Sequence, residues 1–195
     1  MSQPRIAALA GVIGPAAFVG AWTIGAAVTN REYSSIDTTI SHLAAIGADT
    51  RSIMNAGFIG FGVAIPIFAT VLRRVVNGPA WLTATVAGVA TLAVAATPLE
   101  RSAAVDNWHG VFAGTVYVAL ATTPLLAARP LLREGHRGLA RFSVITGAVS
   151  TIALALTATA VPTGLFQRLG FTAADIWFAF TAVAIAKGRL AAPLR

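Results

Sequence analysis

The stretch Glu100-Arg101-Ser102-Ala103-Ala104-Val105-Asp106-Asn107-Trp108-His109-Gly110 decides how this chain is read. It is a short connection between two long apolar runs, one ending near Pro98 and the next opening near Trp108. Two acids, an arginine, a tryptophan and a histidine sit side by side in it, while the runs on either side carry almost no charge. Apolar runs of about 20 residues match the roughly 30 Å of hydrocarbon in a bilayer. The stretch therefore reads as a loop at a membrane surface, and the chain as one that crosses repeatedly.

Composition agrees. Of 195 residues, 56% are hydrophobic and 11% are charged. A soluble domain carries about 25% charged residues, so this chain has too few to cover a surface facing water. There are no cysteines, which excludes disulfides and thiol chemistry. The net charge of +7 comes almost wholly from arginines that flank the apolar runs, as the positive-inside rule expects. No basic stripe with interleaved aromatics is present, and nucleic acid is not an expected partner.

Working outward, six membrane helices are expected, over about 6–28, 53–75, 80–98, 108–128, 142–161 and 171–186, in one domain covering 1–195. The first run is too long for the core of a signal peptide and reads as a retained helix. Asn55 lies near the start of the second helix, Pro66 kinks it, and Gly57, Gly60 and Gly62 give it a close-packing face. Gly110 and Gly114 are spaced for close contact on the fourth. Such small-residue faces also suit self-association. In the first polar connection, Ile36, Ile40, Leu43 and Ile46 predict a short amphipathic helix from Ile36 to Ile46, lying on the membrane or folding over the bundle. Pro162–Gly170 reads as a turn carrying Arg168.

Counting arginines and lysines orients the chain. Ten (Arg5, Arg73, Arg74, Arg129, Arg133, Arg137, Arg141, Lys187, Arg189 and Arg195) fall on one side, against four (Arg31, Arg51, Arg101 and Arg168) on the other. Both termini are then cytoplasmic, in a bacterial-type inner membrane. Six of the seven acids gather on or near the outer side, and only Glu134 faces in. Acids do little to orient a chain, so function at the outer face is a candidate cause.

The residues with chemistry to offer lie there. Asp175 is placed about one turn inside the last helix, where a carboxylate must face the interior and find a partner; Arg168 and His109 are the candidates. Asp106 and His109 share a helix face if that helix starts early enough, and a carboxylate beside an imidazole suits general acid–base work. Asp106, His109 and Asp175 are thus the catalytic candidates. Asp37, His42, Asn55, Arg101, Trp108, Arg168 and Trp177 are the ligand-binding ones. His42, brought over the mouth, approaches His109, and Asp37, His42, Asp106 and His109 are the residues a divalent metal would use. No metal-binding spacing fixes such a site, and no cofactor is expected. No nucleophile elbow, phosphate loop or dinucleotide fingerprint is present.

Three segments carry a family resemblance: Y-S-S-I-D-T-T-I-S-H-L-A-A-I-G at Tyr33–Gly47, N-A-G-F-I-G-F-G at Asn55–Gly62, and W-H-G at Trp108–Gly110. Together they resemble the bacterial membrane domain of unknown function catalogued as number 998. The resemblance implies a six-helix integral membrane protein and carries no activity. Its family-like positions here are Asp37, Ser41, Asn55, His109 and Arg168. Where the family pattern is often acidic before the arginine, this chain has Gln167.

Three functional readings follow. The first is an outward-opening pocket for a membrane lipid or isoprenoid-like molecule. Chemistry there would be acid–base attack on a headgroup by Asp106 and His109, or protonation of an alkene or epoxide by Asp175. The second is an accessory or interaction subunit whose polar residues only join helices. The third, transport, is weaker, because no inverted repeat and no mid-membrane charge are evident.

Overall fold

In the computed structural model the chain is described over residues 3–159 and 162–190, with side chains from Ile6 onward. The expected helix end at Val161 and the terminal Arg195 lie outside the described residues, as does the side chain of Arg5. The described chain is all helical: α1 (Gln3–Ala8), α2 (Ala10–Val28), a 3-10 turn (Ile40–Ala44), α3 (Arg51–Val75), α4 (Ala80–Ala96), α5 (Ala103–Arg133), α6 (Arg137–Leu156) and α7 (Thr163–Ala186). Five stretches are long and apolar enough to span a bilayer: Ile6–Val28, running through the α1–α2 junction, and α3, α5, α6 and α7. These make the protein multi-pass. The sixth helix, α4, has 17 residues, about 25 Å of rise.

Each helix packs on the next in chain order, and α7 closes the ring on α2. Between lipid-facing helices there is little hydrophobic drive, so close approach of backbones supplies the attraction. Here small residues provide it. Gly57 and Gly60 of α3 lie against Ala21 and Ala17 of α2. Gly62 meets Leu92 of α4, and Gly88 of α4 receives the ring of Pro66. Gly110 and Gly114 of α5 do not follow the expectation: a Cβ at either would have nothing within 4 Å. Their face of α5 is open.

At the opposite end α5 runs on to Arg133, past the expected 128, and α6 starts at Arg137, before the expected 142; the departures that shape the mouth lie where the expected outer loops meet. Helix α5 begins at Ala103, not Trp108, because Ser102 caps it, its Oγ accepting from Val105 N at 3.3 Å. Asp106 then falls in the first turn, which favours acids. Helix α7 begins at Thr163, not Phe171, so the expected turn around Arg168 is helix. Its glycines serve packing: Gly164 abuts the Thr38 and Ile36 carbonyls, and Gly170 abuts Leu154.

The expected Ile36–Ile46 helix shrinks to the 3-10 turn. Its carbonyls are spoken for elsewhere. Ile36 O accepts from Leu165 N at 2.7 Å, and Ser35 O and Thr38 O accept from Arg168 at 2.7 and 3.1 Å. Carbonyls engaged by α7 are drawn away from an i+4 ladder, and the β-branched run Ile36, Thr38, Thr39, Ile40 favours helix little.

Candidate functional site

Residues 29–50 form a lid across the mouth of the bundle. Its base is tied by Asp49, which accepts from Thr29 Oγ1 at 3.0 Å, Asn30 N at 2.8 Å and Asn30 Nδ2 at 2.8 Å. These donors, the Asn30 backbone N–H foremost, hold the Asp49 carboxyl below the usual carboxylate range. Thr50 Oγ1 donates to Leu43 O at 2.9 Å, joining the lid to the start of α3.

Two further seams hold the lid down. The first runs to the α4–α5 connection. Ile46 N donates to Leu99 O at 2.9 Å. Arg31 pairs with Glu100 at 3.2 Å and donates to Ile46 O at 3.2 Å. Glu100 sits at φ 64, the left-handed region that costs a non-glycine residue about 1–2 kcal/mol. Its N–H is held by Asp106 Oδ1 at 3.0 Å.

The second seam runs to α7 and centres on the neighbours Gln167 and Arg168. Gln167 Oε1 accepts from Ile40 N at 2.7 Å, and its Nε2 donates to Tyr117 Oη at 2.5 Å. Arg168, 8% exposed, donates to Ser35 O, Thr38 O, Gly164 O and Tyr33 Oη. Its guanidinium also lies 5.3 Å over the Trp22 ring. The Tyr33 phenol is pushed up by burial, against the opposing charge and hydrogen bond of Arg168. Both tyrosines of the chain thus end on this Gln–Arg pair.

Beneath the lid lies a cavity offering about 20 Å³ to the centre of a water molecule, enough for one water. Ser41, Gln167, Tyr117 and Thr91 supply its polar lining. Phe18, Phe58, Phe61 and Phe171 form its apolar part, with Phe18 and Phe171 edge-to-face at 5.2 Å. No hydrogen bond engages the Ser41 hydroxyl among the described residues, although Ser41 is 7% exposed.

The residues expected to make the site are placed as follows. His109 is buried and its Nδ1 donates to Thr97 O at 2.6 Å. Asp106 stands one turn before it in α5. His42 is exposed, with Nδ1 2.8 Å from Thr39 Oγ1. Asp37 is exposed and accepts from Ser34 Oγ at 2.7 Å. Arg101 is exposed and unbonded, and Trp108 faces outward, stacked on Phe112 at 5.8 Å. Asn55 is half-buried with an unpartnered Oδ1.

Trp177, a ligand-binding candidate expected near the start of the last helix, does not line the cavity: it is fully buried and donates Nε1 to Ser143 Oγ of α6 at 2.7 Å. Asp175, 3% exposed, pairs with neither Arg168 nor His109, and both its oxygens lack a partner among the described residues. Both corrections have one cause. An earlier start to α7 moves these two residues from the boundary to the middle of the span.

Asp37, Asp106, His109, Arg168 and Asp175 do not line the cavity. Among the described residues no three His, Asp or Glu side chains gather as metal ligands. Arg168 and Tyr33 hold the lid, and Ser41, Gln167 and Tyr117 line the cavity; Gln167, Tyr117 and Tyr33 escape a reading based on charge. The signal available for them is an adjacent Gln–Arg pair in a chain with only two tyrosines.

The family model described as protein of unknown function (DUF998) matches residues 12–184. No curated protein and no solved structure matches the chain.

Proposed function

The chain belongs to the DUF998 family, and from that premise we propose that it is an outward-facing membrane receptor for a lipid or isoprenoid-like molecule, whose head enters the cavity beneath the lid. The observation that carries this reading is the cavity itself. Hydroxyl and amide groups of Ser41, Gln167 and Tyr117 line one part and phenylalanine rings another, the mixture that orients an amphiphile. With the lid down there is room for one water, so a ligand enters as the lid lifts. The seams suit that role, since a hydrogen bond contributes only about 0.5–1.5 kcal/mol net and exchanges with water.

The mouth faces away from the cytoplasm in this reading. Arg73, Arg74, Arg129, Arg133, Arg137, Arg141, Lys187 and Arg189 cluster at the ends of helices away from the lid, which supports cytoplasmic termini in a bacterial-type inner membrane. Binding is favoured over catalysis because Asp106 and His109 are bonded into the α4–α5 connection and Asp175 lies below the cavity. A second reading, an interaction subunit, draws on the open Gly110 and Gly114 face of α5.

The absence of cysteine permits a direct test. Ile46→Cys with Leu99→Cys places a reversible bond across the first seam. Protein purified in nanodiscs and analysed by native mass spectrometry should retain a lipidic ligand when reduced and fail to load one added after oxidation. Equal loading in both states would sink the lid-gated reading.

A further inference from the structure

Asp175 stands at the centre of α7, with twelve residues of the helix before it and eleven after it in Thr163–Ala186. At 1.5 Å per residue that is about 18 Å from one end and 16 Å from the other, deep in a hydrocarbon layer of about 30 Å. An ionisable side chain therefore stands at mid-span, deeper than the one turn inside the helix expected for it.

Among the described residues no hydrogen bond and no ion pair reaches its carboxyl. On the same helical face lie Phe171 one turn outward and Phe178 one turn inward. Phe171 packs on Phe18, and Phe178 packs on Phe61 and Phe68. Arg168, two turns outward, gives its hydrogen bonds to lid carbonyls, Gly164 O and Tyr33. The one ion pair among the described residues is Arg31–Glu100. Across from Asp175, α2 packs Gly11 at Ala182 and Phe18 at Phe171, so Pro15 lies at about its depth. Pro15 has no N–H and withdraws the helical donor of the Gly11 carbonyl. Pro15 thus offers the carboxyl no backbone donor at that depth.

We propose that Asp175 is a mid-membrane proton-binding site, occupied by a proton in the folded protein at neutral pH. A lone carboxylate in this setting is costly, and a proton is the smallest partner that removes the charge. Phe171, one turn outward, lines the water-sized cavity, which lies between Asp175 and the lid. A protonatable acid held here is the component that a proton-coupled conformational step needs.

Infrared spectroscopy of the protein in bilayers at neutral pH tests this directly. The chain has seven acids, and the other six are exposed or half-exposed. The wild type should show a carboxylic-acid C=O stretch that is lost in Asp175→Asn. If that variant fails to fold, Asp175→Glu should retain the band at a shifted frequency. A wild type without the band, or a band unchanged in both variants, overturns the proposal. Lipid loading is not part of this readout, so its outcome is independent of the receptor reading.

Discussion

Arg168 is the residue on which the lid depends most. It is a buried cation with no carboxylate partner among the described residues, stabilised by carbonyl dipoles of the lid and of its own helix. Nη1 reaches the three carbonyls while Nη2 reaches Tyr33 Oη, a two-pronged fork that the single nitrogen of an ammonium cannot reproduce. Arg168→Ala leaves buried acceptors unpaired, at about 1–3 kcal/mol each. The variant should lose on the order of 3 kcal/mol of stability, and Arg168→Lys should lose less. Hydrogen exchange should show the loss concentrated in residues 33–40, while α3 to α6 keep their protection. Uniform loss across the bundle would make Arg168 a general core residue rather than a lid pin. Trp177 shows the opposite lesson about single residues: its type suggests the membrane boundary, and its position makes it a bolt between α7 and α6.

At the scale of elements, the lid's base is the part whose strength depends on pH. Asp49 is held below its ordinary range by Asn30 and Thr29. A carboxyl lowered on folding contributes stability that is fully present above its unfolded value, about 3.9. That contribution drains away as pH falls through the lowered folded value. Exchange at residues 29–31 should therefore quicken below about pH 4, and Asp49→Asn should abolish that acid step while loosening the base at neutral pH. A step that survives in the variant would assign it to another acid. The elements also show what hydropathy can and cannot read. The ends of α2 and α3 at Val28 and Val75, and the start of α4 at Ala80, coincide with the edges of apolar runs. The starts of α5 and α7 do not, because apolar runs report where lipid is, not where helix is. Polar residues such as Gln167 and Arg168 are helical because the lid supplies their partners, and a contact 127 or more residues away in sequence leaves no local trace.

For the whole molecule, the lid joins all three expected outer connections: its own base, Leu99 and Glu100 before α5, and the first turns of α7. The opposite end is tied more simply, by Asn77 Nδ2 donating to Glu134 Oε1 at 2.6 Å and Arg73 lying 4.6 Å over Trp81. The charges divide the same way, with arginines crowding the simple end and acids the lidded one. A membrane that holds cations in the cytoplasm should then insert the bundle lid-outward, and single cysteines can report it because the native chain has none. Cysteine at the exposed Glu32 should react with an impermeant maleimide on intact cells. Cysteine at the exposed Gly135 should react only after the membrane is opened. The reverse pattern would turn the lid to the cytoplasm and make the ligand a cytoplasmic or inner-leaflet one. Because Gly135 sits at φ 86, substitution there strains the turn, and the neighbouring exposed Glu134 provides a second inner position. Agreement of the two inner probes against the outer one fixes the side from which both the lid and the proton site at Asp175 are reached.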